Sequence, residues 1–431
     1  MKKFISFLIL SFSFWCVAQD KAVVSDWTAV AQSVNVQDKQ NWKFRVSAKI
    51  RKENDNNAKC AIWVRIDKLD NTIGFFENQA YSDITVTSEW KTFTIEGTID
   101  SSAKTLNIGA FARDNGDFYF DDFKLEVTNG KSKKWTKIAL KNNDFEEDLM
   151  SNDWREGISK DKKHIKNFTV QTSENKPFSG KKSLLIKGEN IIGNMPHGKF
   201  AEVNGIKMYY ETYGEGEPLL MLHGNGQSIS AFMNQVEDFS KKYKVIIVDC
   251  RERGKSTYDK TKELTFDIQV EDLKQFLEQQ NIKKVKILGW SDGGILAILM
   301  ALKHPDLVDK IACSGANIFP EGITDKDLED MKETLAKLIR ENKNGKNDVY
   351  IDLYNLDLKY PNLKYENLKA IQCPSLIIAG DKDEIKTEHT VKIAEFIPKG
   401  QLAIIPNSSH YVPEEKPELF NSLVMDFFEG K

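Results

Sequence analysis

Val285-Lys286-Ile287-Leu288-Gly289-Trp290-Ser291-Asp292-Gly293-Gly294-Ile295-Leu296-Ala297 runs from an apolar strand, through a serine flanked by glycines, into an apolar helix. A strand that turns into a helix within one residue leaves no room for side chains at Gly289 and Gly293. The same turn holds Ser291 in a strained conformation with its hydroxyl pushed outward. The Gly-x-Ser-x-Gly spacing alone is weak evidence. The strand before it and the helix after it give it weight, and they predict a strand–helix alternating, α/β architecture around a nucleophilic serine.

Outward from that turn, strand candidates are Ile206–Thr212, Leu219–Leu222, Lys244–Val248, Val285–Leu288, Lys310–Cys313, Leu376–Ala379 and Leu402–Ile405. Between them lie helix-period segments: Phe266–Gln280, Gly294–Lys303, Thr390–Phe396 and Pro417–Phe428. Near-continuous apolar strands alternating with amphipathic helices imply a mostly parallel sheet covered on both faces. The site is then expected beyond the carboxyl ends of the strands.

A serine hydroxyl needs a base to take its proton. The chain has 6 His. His164 lies in the N-terminal half and His197 in a linker. His304 closes a helix before Pro305, where a cation complements the helix dipole, and His389 opens a predicted helix and reads as a surface residue. His410 follows the last strand in Pro406-Asn407-Ser408-Ser409-His410-Tyr411-Val412-Pro413, and is the expected base. Asp381 and Asp383 compete to orient it from the acidic loop after Leu376–Ala379. Asp383 sits two residues further past the strand end and is favoured, with Asp381 as a turn residue. Leu219-Leu220-Met221-Leu222-His223-Gly224-Asn225-Gly226 ends a strand in a glycine-rich turn. The backbone N–H groups of Asn225 and Asp292 are the expected oxyanion donors. The Asp292 carboxylate is expected to favour its helix N-terminus, and His223 to shape its turn.

Residues 199–431 resemble the α/β-hydrolase superfamily, with the order Ser291, Asp383, His410 that the resemblance implies. Val248-Asp249-Cys250-Arg251-Glu252-Arg253-Gly254-Lys255-Ser256 also resembles that family's strand-to-loop segment, with Glu252 where a glycine is common. Gly-Trp-Ser-Asp-Gly-Gly is similar to the esterase and amino-acid-ester hydrolase branch. The serine argues against the related branches that use an aspartate nucleophile. Residues 318–368, including Asp325–Glu341, have the length and amphipathic character of a small helical lid. A lid lined by Met or Phe, as a lipid substrate would suggest, is not expected.

The N-terminal half has a different texture. Lys43–Ile50, Ala61–Ile66 and Trp90–Ile95 alternate apolar and polar residues at period two, as half-buried antiparallel strands do. An all-β sandwich over residues 20–190 follows, joined by a linker at 191–198. Phe118–Val127 resembles the closing strand of jelly-roll modules of the carbohydrate-binding, galactose-binding-like type. Asn143–Glu146, Trp154–Gly157 and Ser179–Ile186 resemble their opening strands. Opening strands after closing ones imply either a circular permutation completing one sandwich or a second, truncated module. A spacer role and a bound glycan both remain open for this half.

Lys2 and Lys3 followed by the apolar run Phe4–Trp15 and the exit at Ala18-Gln19-Asp20 form the pattern of a signal peptide, residues 1–19. The protein is therefore expected to be periplasmic or extracellular. Phe14 and Trp15 are too bulky for a lipidation site at Cys16, and no later stretch is expected to span a membrane. Cys60, Cys250, Cys313 and Cys373 lack paired spacing and read as small buried hydrophobes. A net charge of −3 over 431 residues gives no reason to expect nucleic acid as a partner. No cofactor or metal is expected, because the triad needs neither and no His/Cys/carboxylate cluster has ligand spacing.

These features lead to a secreted serine hydrolase acting on a small-molecule ester, thioester or amide. Two alternatives stand beside it: a peptidase or aminopeptidase with the same triad, whose lid acids Asp327, Glu329 and Asp330 would anchor a free amine, and a non-catalytic carbohydrate-binding surface protein with a relict hydrolase half.

Overall fold

A computed structural model describes residues 25–53, 58–81, 84–130, 134–149, 154–156 and 165–431. The leader expected at residues 1–19, including Cys16, lies outside the described residues, as do Gly157 and His164. The chain divides into two compact units, Met1–Glu189 and Asn190–Lys431.

The first unit holds two antiparallel sheets. One orders Ile73–Asn78, Lys59–Lys68, Ala103–Arg113, Trp27–Asn35 and Arg155–Glu156. The other orders Phe168–Ser173, Ser183–Gly188, Gly116–Thr128, Lys43–Glu53 and Lys91–Thr98, with Thr136–Ile138 also on Gly116–Thr128. The alternation read from Lys43–Ile50 is visible as Phe44, Val46, Ala48 and Ile50 buried on one face. Residues after Gly116–Thr128 return strands to both sheets: Arg155–Glu156 pairs with Trp27–Asn35, and Ser183–Gly188 pairs with Gly116–Thr128.

The second unit is an eight-stranded sheet. Its strands are β1 (Lys199–Val203), β2 (Ile206–Tyr213), β3 (Glu217–Leu222), β4 (Tyr243–Val248), β5 (Val285–Trp290), β6 (Val308–Ser314), β7 (Ser375–Gly380) and β8 (Gly400–Ile405), in the spatial order β1-β2-β4-β3-β5-β6-β7-β8. From β4 to β8 all neighbours are parallel, and β1 and β2 form an antiparallel edge. Successive side chains of a strand point to opposite faces, so both faces of β3 and β5 are buried. Leu220, Leu222 and Ile287 enter one core with helices α1 (Phe266–Gln279), α2 (Asp292–Lys303) and α5 (Thr387–Phe396). Leu219, Met221 and Leu288 enter the opposite core with α6 (Pro417–Glu429) and Phe232. Each such fully buried aliphatic side chain contributes about 1.5–3 kcal/mol over its exposed state. Between β6 and β7, α3 (Asp325–Glu341) and α4 (Asp348–Lys359) form the helical insertion. Thr324 caps α3, its hydroxyl accepting from the Asp327 N–H at 3.3 Å.

Residues 191–198 are tied to this second unit. The buried Glu211 carboxylate accepts the N–H groups of Gly193 and Met195, each at 2.8 Å, and the hydroxyls of Tyr209 and Tyr213. Four donors on one carboxylate offset its desolvation. Cys60, Cys250 and Cys313 are buried and free, and Cys373 is half-buried and free. Among the described residues no helix is long and apolar enough to cross a membrane.

Candidate active site

β5 ends at Trp290, and α2 begins at Asp292 with a single residue between them. That residue, Ser291, has φ 57° and ψ −120°, which only a surrounding structure that over-determines it can hold. The clamps are local. A Cβ on Gly289 would lie 2.1 Å from the Gly293 carbonyl oxygen, and one on Gly293 would lie 1.8 Å from that of Leu222. The Ser291 N–H donates to the Ser314 carbonyl on β6 at 2.8 Å, and the Gly294 N–H returns to the Ser291 carbonyl at 2.7 Å.

His410 follows β8 and shares a cavity of about 370 Å³ with Ser291. Its Nδ1 is 2.7 Å from Asp383 Oδ1. The same carboxylate receives the N–H of Ile385 at 3.0 Å, which fixes its orientation. Asp381 instead accepts the Ser408 N–H at 3.1 Å and acts as a turn brace, as read from the sequence. Burial of the His410 ring opposes its protonation. The hydrogen bond and charge of Asp383, aided by Glu384 and Asp292, outweigh that, so its pKa is raised. Two neighbours missed in the sequence bear on His410, one at its backbone and one beside its ring. Trp290 Nε1 donates to the His410 carbonyl at 2.9 Å. Gly315, at φ 61°, leaves space that a Cβ would close to 2.6 Å from the imidazole. The Trp lies inside the serine motif, but nothing in the sequence links it to a residue 120 positions away.

At the end of β3, a Cβ on Gly224 would lie 2.9 Å from Ser291 Cβ, so the turn runs directly against the serine. The Gly224 N–H is taken by Gln227 Oε1 at 2.8 Å. The N–H groups of Asn225 and Asp292 have no such acceptor among the described residues. His223 is buried, accepts the Cys250 N–H at Nε2 (3.0 Å), and holds the Gly224 carbonyl through Nδ1 at 2.8 Å. Its burial pushes its pKa down to about 3, so it is a neutral brace, as expected.

Two sequence expectations need correction. The Asp292 carboxylate does more than complement its helix N-terminus: it forms a buried ion pair with Arg253 at 2.7 Å. Burial raises its pKa, and Arg253 opposes that rise. His389 is buried and not a surface residue. Its Nε2 accepts the Ile318 N–H at 3.1 Å, its Nδ1 meets the Tyr365 hydroxyl at 2.6 Å, and burial lowers its pKa to about 4. Its partners come from the insertion, which local sequence around position 389 does not reveal.

The insertion borders the cavity with Met331, Tyr350, Leu353 and Tyr354, a more apolar lining than its composition suggested. Asp327, Glu329 and Asp330 do not line it. Asp330 pairs with Lys326 at 2.6 Å, and Glu329 with Lys332 at 3.6 Å. The cavity acids are Asp292, Glu384 and Asp357 of α4. Among the described residues no group of His, Cys, Asp and Glu could hold a metal ion.

Residues 217–349 match the family model described as the alpha/beta hydrolase fold. The C-terminal half of this chain has the α/β-hydrolase fold. This α/β-hydrolase is 29% identical over 247 residues to serine hydrolase BPHL of Mus musculus, covering 53% of this chain and 84% of the relative. It is 27% identical over 260 residues to an (E)-2-((N-methylformamido)methylene)succinate hydrolase of Acinetobacter baylyi, covering 52% and 95%. Among solved structures, a meta-cleavage product hydrolase from Pseudomonas fluorescens IP01 is similar at 24% identity and a TM-score of 0.46, covering 54% of this chain and 98% of that one. The α/β-hydrolase half is an enzyme, and its relatives are hydrolases.

Proposed function

We propose that the α/β-hydrolase unit cleaves a small ester, thioester or amide through an acyl-enzyme on Ser291. The observation that carries this is the strained Ser291 at φ 57°, sharing one cavity with a His410 held by Asp383 at 2.7 Å. Ser291 Oγ attacks the acyl carbon as its proton passes to His410 Nε2. The oxyanion is received by the N–H groups of Asn225 and Asp292. His410 returns the proton to the leaving group as its bond to carbon breaks. Water then repeats the sequence, releasing the acid and restoring the Ser291 hydroxyl.

One observation favours a second reading, hydrolysis of amides or peptides bearing a free amine. The cavity is lined by the acids Asp292, Asp357 and Glu384 and by no Lys or Arg; with Asp292 paired to Arg253 and Asp357 bound by Asn225, Glu384 is the carboxylate that would meet the amine. The leader pattern at residues 1–19 supports action outside the cytoplasm. For the first unit, the two antiparallel sheets support a β-sandwich acting as a spacer or as a glycan-binding module.

The test is fluorophosphonate labelling and p-nitrophenyl acetate turnover by the purified mature protein, beside Ser291→Ala. Labelling and turnover that vanish in the variant support the acyl-enzyme. Labelling that persists there, or never appears, overturns the nucleophile assignment and favours the non-catalytic reading.

A further inference from the structure

The side chain of Asn225 has a part distinct from its backbone N–H. Asn225 Nδ2 donates to Asp357 Oδ2 at 2.5 Å and to the Leu353 carbonyl at 2.9 Å, both on α4 of the insertion. Leu353 is buried, and Asp357 borders the cavity beside Ser291. Asp357 also meets the Asp292 carboxyl, which Arg253 Nη2 holds at 2.7 Å. Both expected oxyanion residues are therefore gripped through their side chains. Asn225 is gripped by α4 directly, and Asp292 by Arg253 and by Asp357.

We infer that Asp357 is a positioning residue for the oxyanion site, joining Asn225 and Asp292 so that their N–H groups converge only while α4 is docked. The inference rests on the catalytic reading of Ser291 given above. Two carboxylates in contact cannot both be charged at little cost. Burial and the adjacent Asp292 hold the Asp357 carboxyl well above the usual range, and Asp292 keeps the charge opposite Arg253. Asp357 can then donate its proton to Asp292 and accept from Asn225 with its other oxygen. A neutral amide does the same: in Asp357→Asn, Oδ1 would accept from Asn225 and Nδ2 would donate to Asp292. This substitution separates positioning from charge.

The experiment measures p-nitrophenyl acetate kcat and KM, with thermal unfolding, for Asp357→Ala, Asp357→Asn, Asn225→Ala and the Asp357→Ala/Asn225→Ala double variant. A donor misplaced by an ångström costs up to about a hundredfold in rate. The expected result is a kcat about 10- to 100-fold lower in Asp357→Ala with KM within about twofold, and recovery to within about threefold of wild type in Asp357→Asn. The double variant should be no worse than the poorer single, because the two side chains act as one unit. Unchanged kcat in Asp357→Ala, an Asn variant as impaired as Ala, or multiplicative losses in the double variant each overturn the inference. Turnover that persists in Ser291→Ala overturns the reading of the site itself, and this inference with it. Should Asp357→Ala fail to fold, Asn225→Ala and Asp357→Asn decide alone: the first must lose kcat and the second must keep it.

Discussion

His410 Nδ1 and Asp383 Oδ1 stand 2.7 Å apart at the ends of two adjacent parallel strands, with the histidine otherwise buried. A desolvated imidazole resists protonation, yet this one has its pKa raised because the carboxylate outweighs the burial. A general base works only when neutral. The acid limb of kcat/KM should therefore lie above the ordinary histidine value of about 6.5, and activity should fall as pH drops through it. Replacing Asp383 by Ala removes the strongest of the interactions that raise the pKa and leaves the burial. The limb should move to lower pH, while kcat falls by about 10³–10⁴. A pH profile of the variant with an unmoved or higher limb would contradict the pairing as the cause.

The Ser291 turn leaves no slack. Gly293→Ala would bring a methyl group 1.8 Å from the Leu222 carbonyl oxygen, where the first turn of α2 packs on the end of β3 and neither backbone can retreat. Overpacking of this kind costs about 1–3 kcal/mol, a drop of about 3–10 °C in the unfolding midpoint of a unit this size. Calorimetry on the purified variant checks this. A midpoint within a degree of wild type would show that the turn can open.

His389 makes an acid-sensitive joint between α5 and the insertion. In the fold its Nε2 must stay unprotonated to accept from Ile318, and its pKa is near 4, below the value of about 6.5 it regains on unfolding. Between those values the unfolded chain binds the extra proton, so stability declines as pH falls from about 6.5 toward 4. The loss approaches about 3 kcal/mol at the lower end. Denaturant melts at pH 7 and pH 4.5 should show it, and His389→Gln should flatten the slope. An equal slope in the variant would assign the effect to other groups.

What could be read from the sequence was whatever depends on neighbours along the chain. Gly289, Ser291 and Gly293 announce their turn because the clash they avoid lies within a few residues or on the adjacent strand. The β3 to β7 strands were found because burial on both faces leaves their central runs apolar. Strand β1 was missed: Lys199–Val203 is a short edge strand with only Ala201 and Val203 buried, too brief for a period to register. The grips on the site were hidden for a different reason. Asp357 is 132 residues from Asn225, and Arg253 is 39 from Asp292. Nothing local to a charged residue tells a solvated helix face from a buried partner. Asp327, Glu329 and Asp330 looked equally eligible and proved to be surface residues' partners.

Glu252 turns a departure in the sequence into a measurable strain. It occupies φ 67°, a left-handed conformation that glycine adopts freely and that costs other residues about 1–2 kcal/mol. It is also buried, and its Oε2 has no hydrogen-bond partner among the described residues. Burial, with repulsion from Asp352, pushes its pKa up to about 7. The unfolded chain carries this group near 4.3, so above that pH it ionises more readily unfolded than folded. Its burden on the fold therefore grows as pH rises from about 4.3 to 7 and is full above that. Glu252→Gly should raise the unfolding midpoint, by about 2–4 °C at pH 8 and by less at pH 5, where the carboxyl is neutral in the fold. Paired thermal melts at the two pH values decide it. A gain larger at pH 5 would mean that Glu252 is stabilised by Arg251 and Arg253 as an anion, and no gain at either pH would mean that the backbone strain is already relieved by its neighbours.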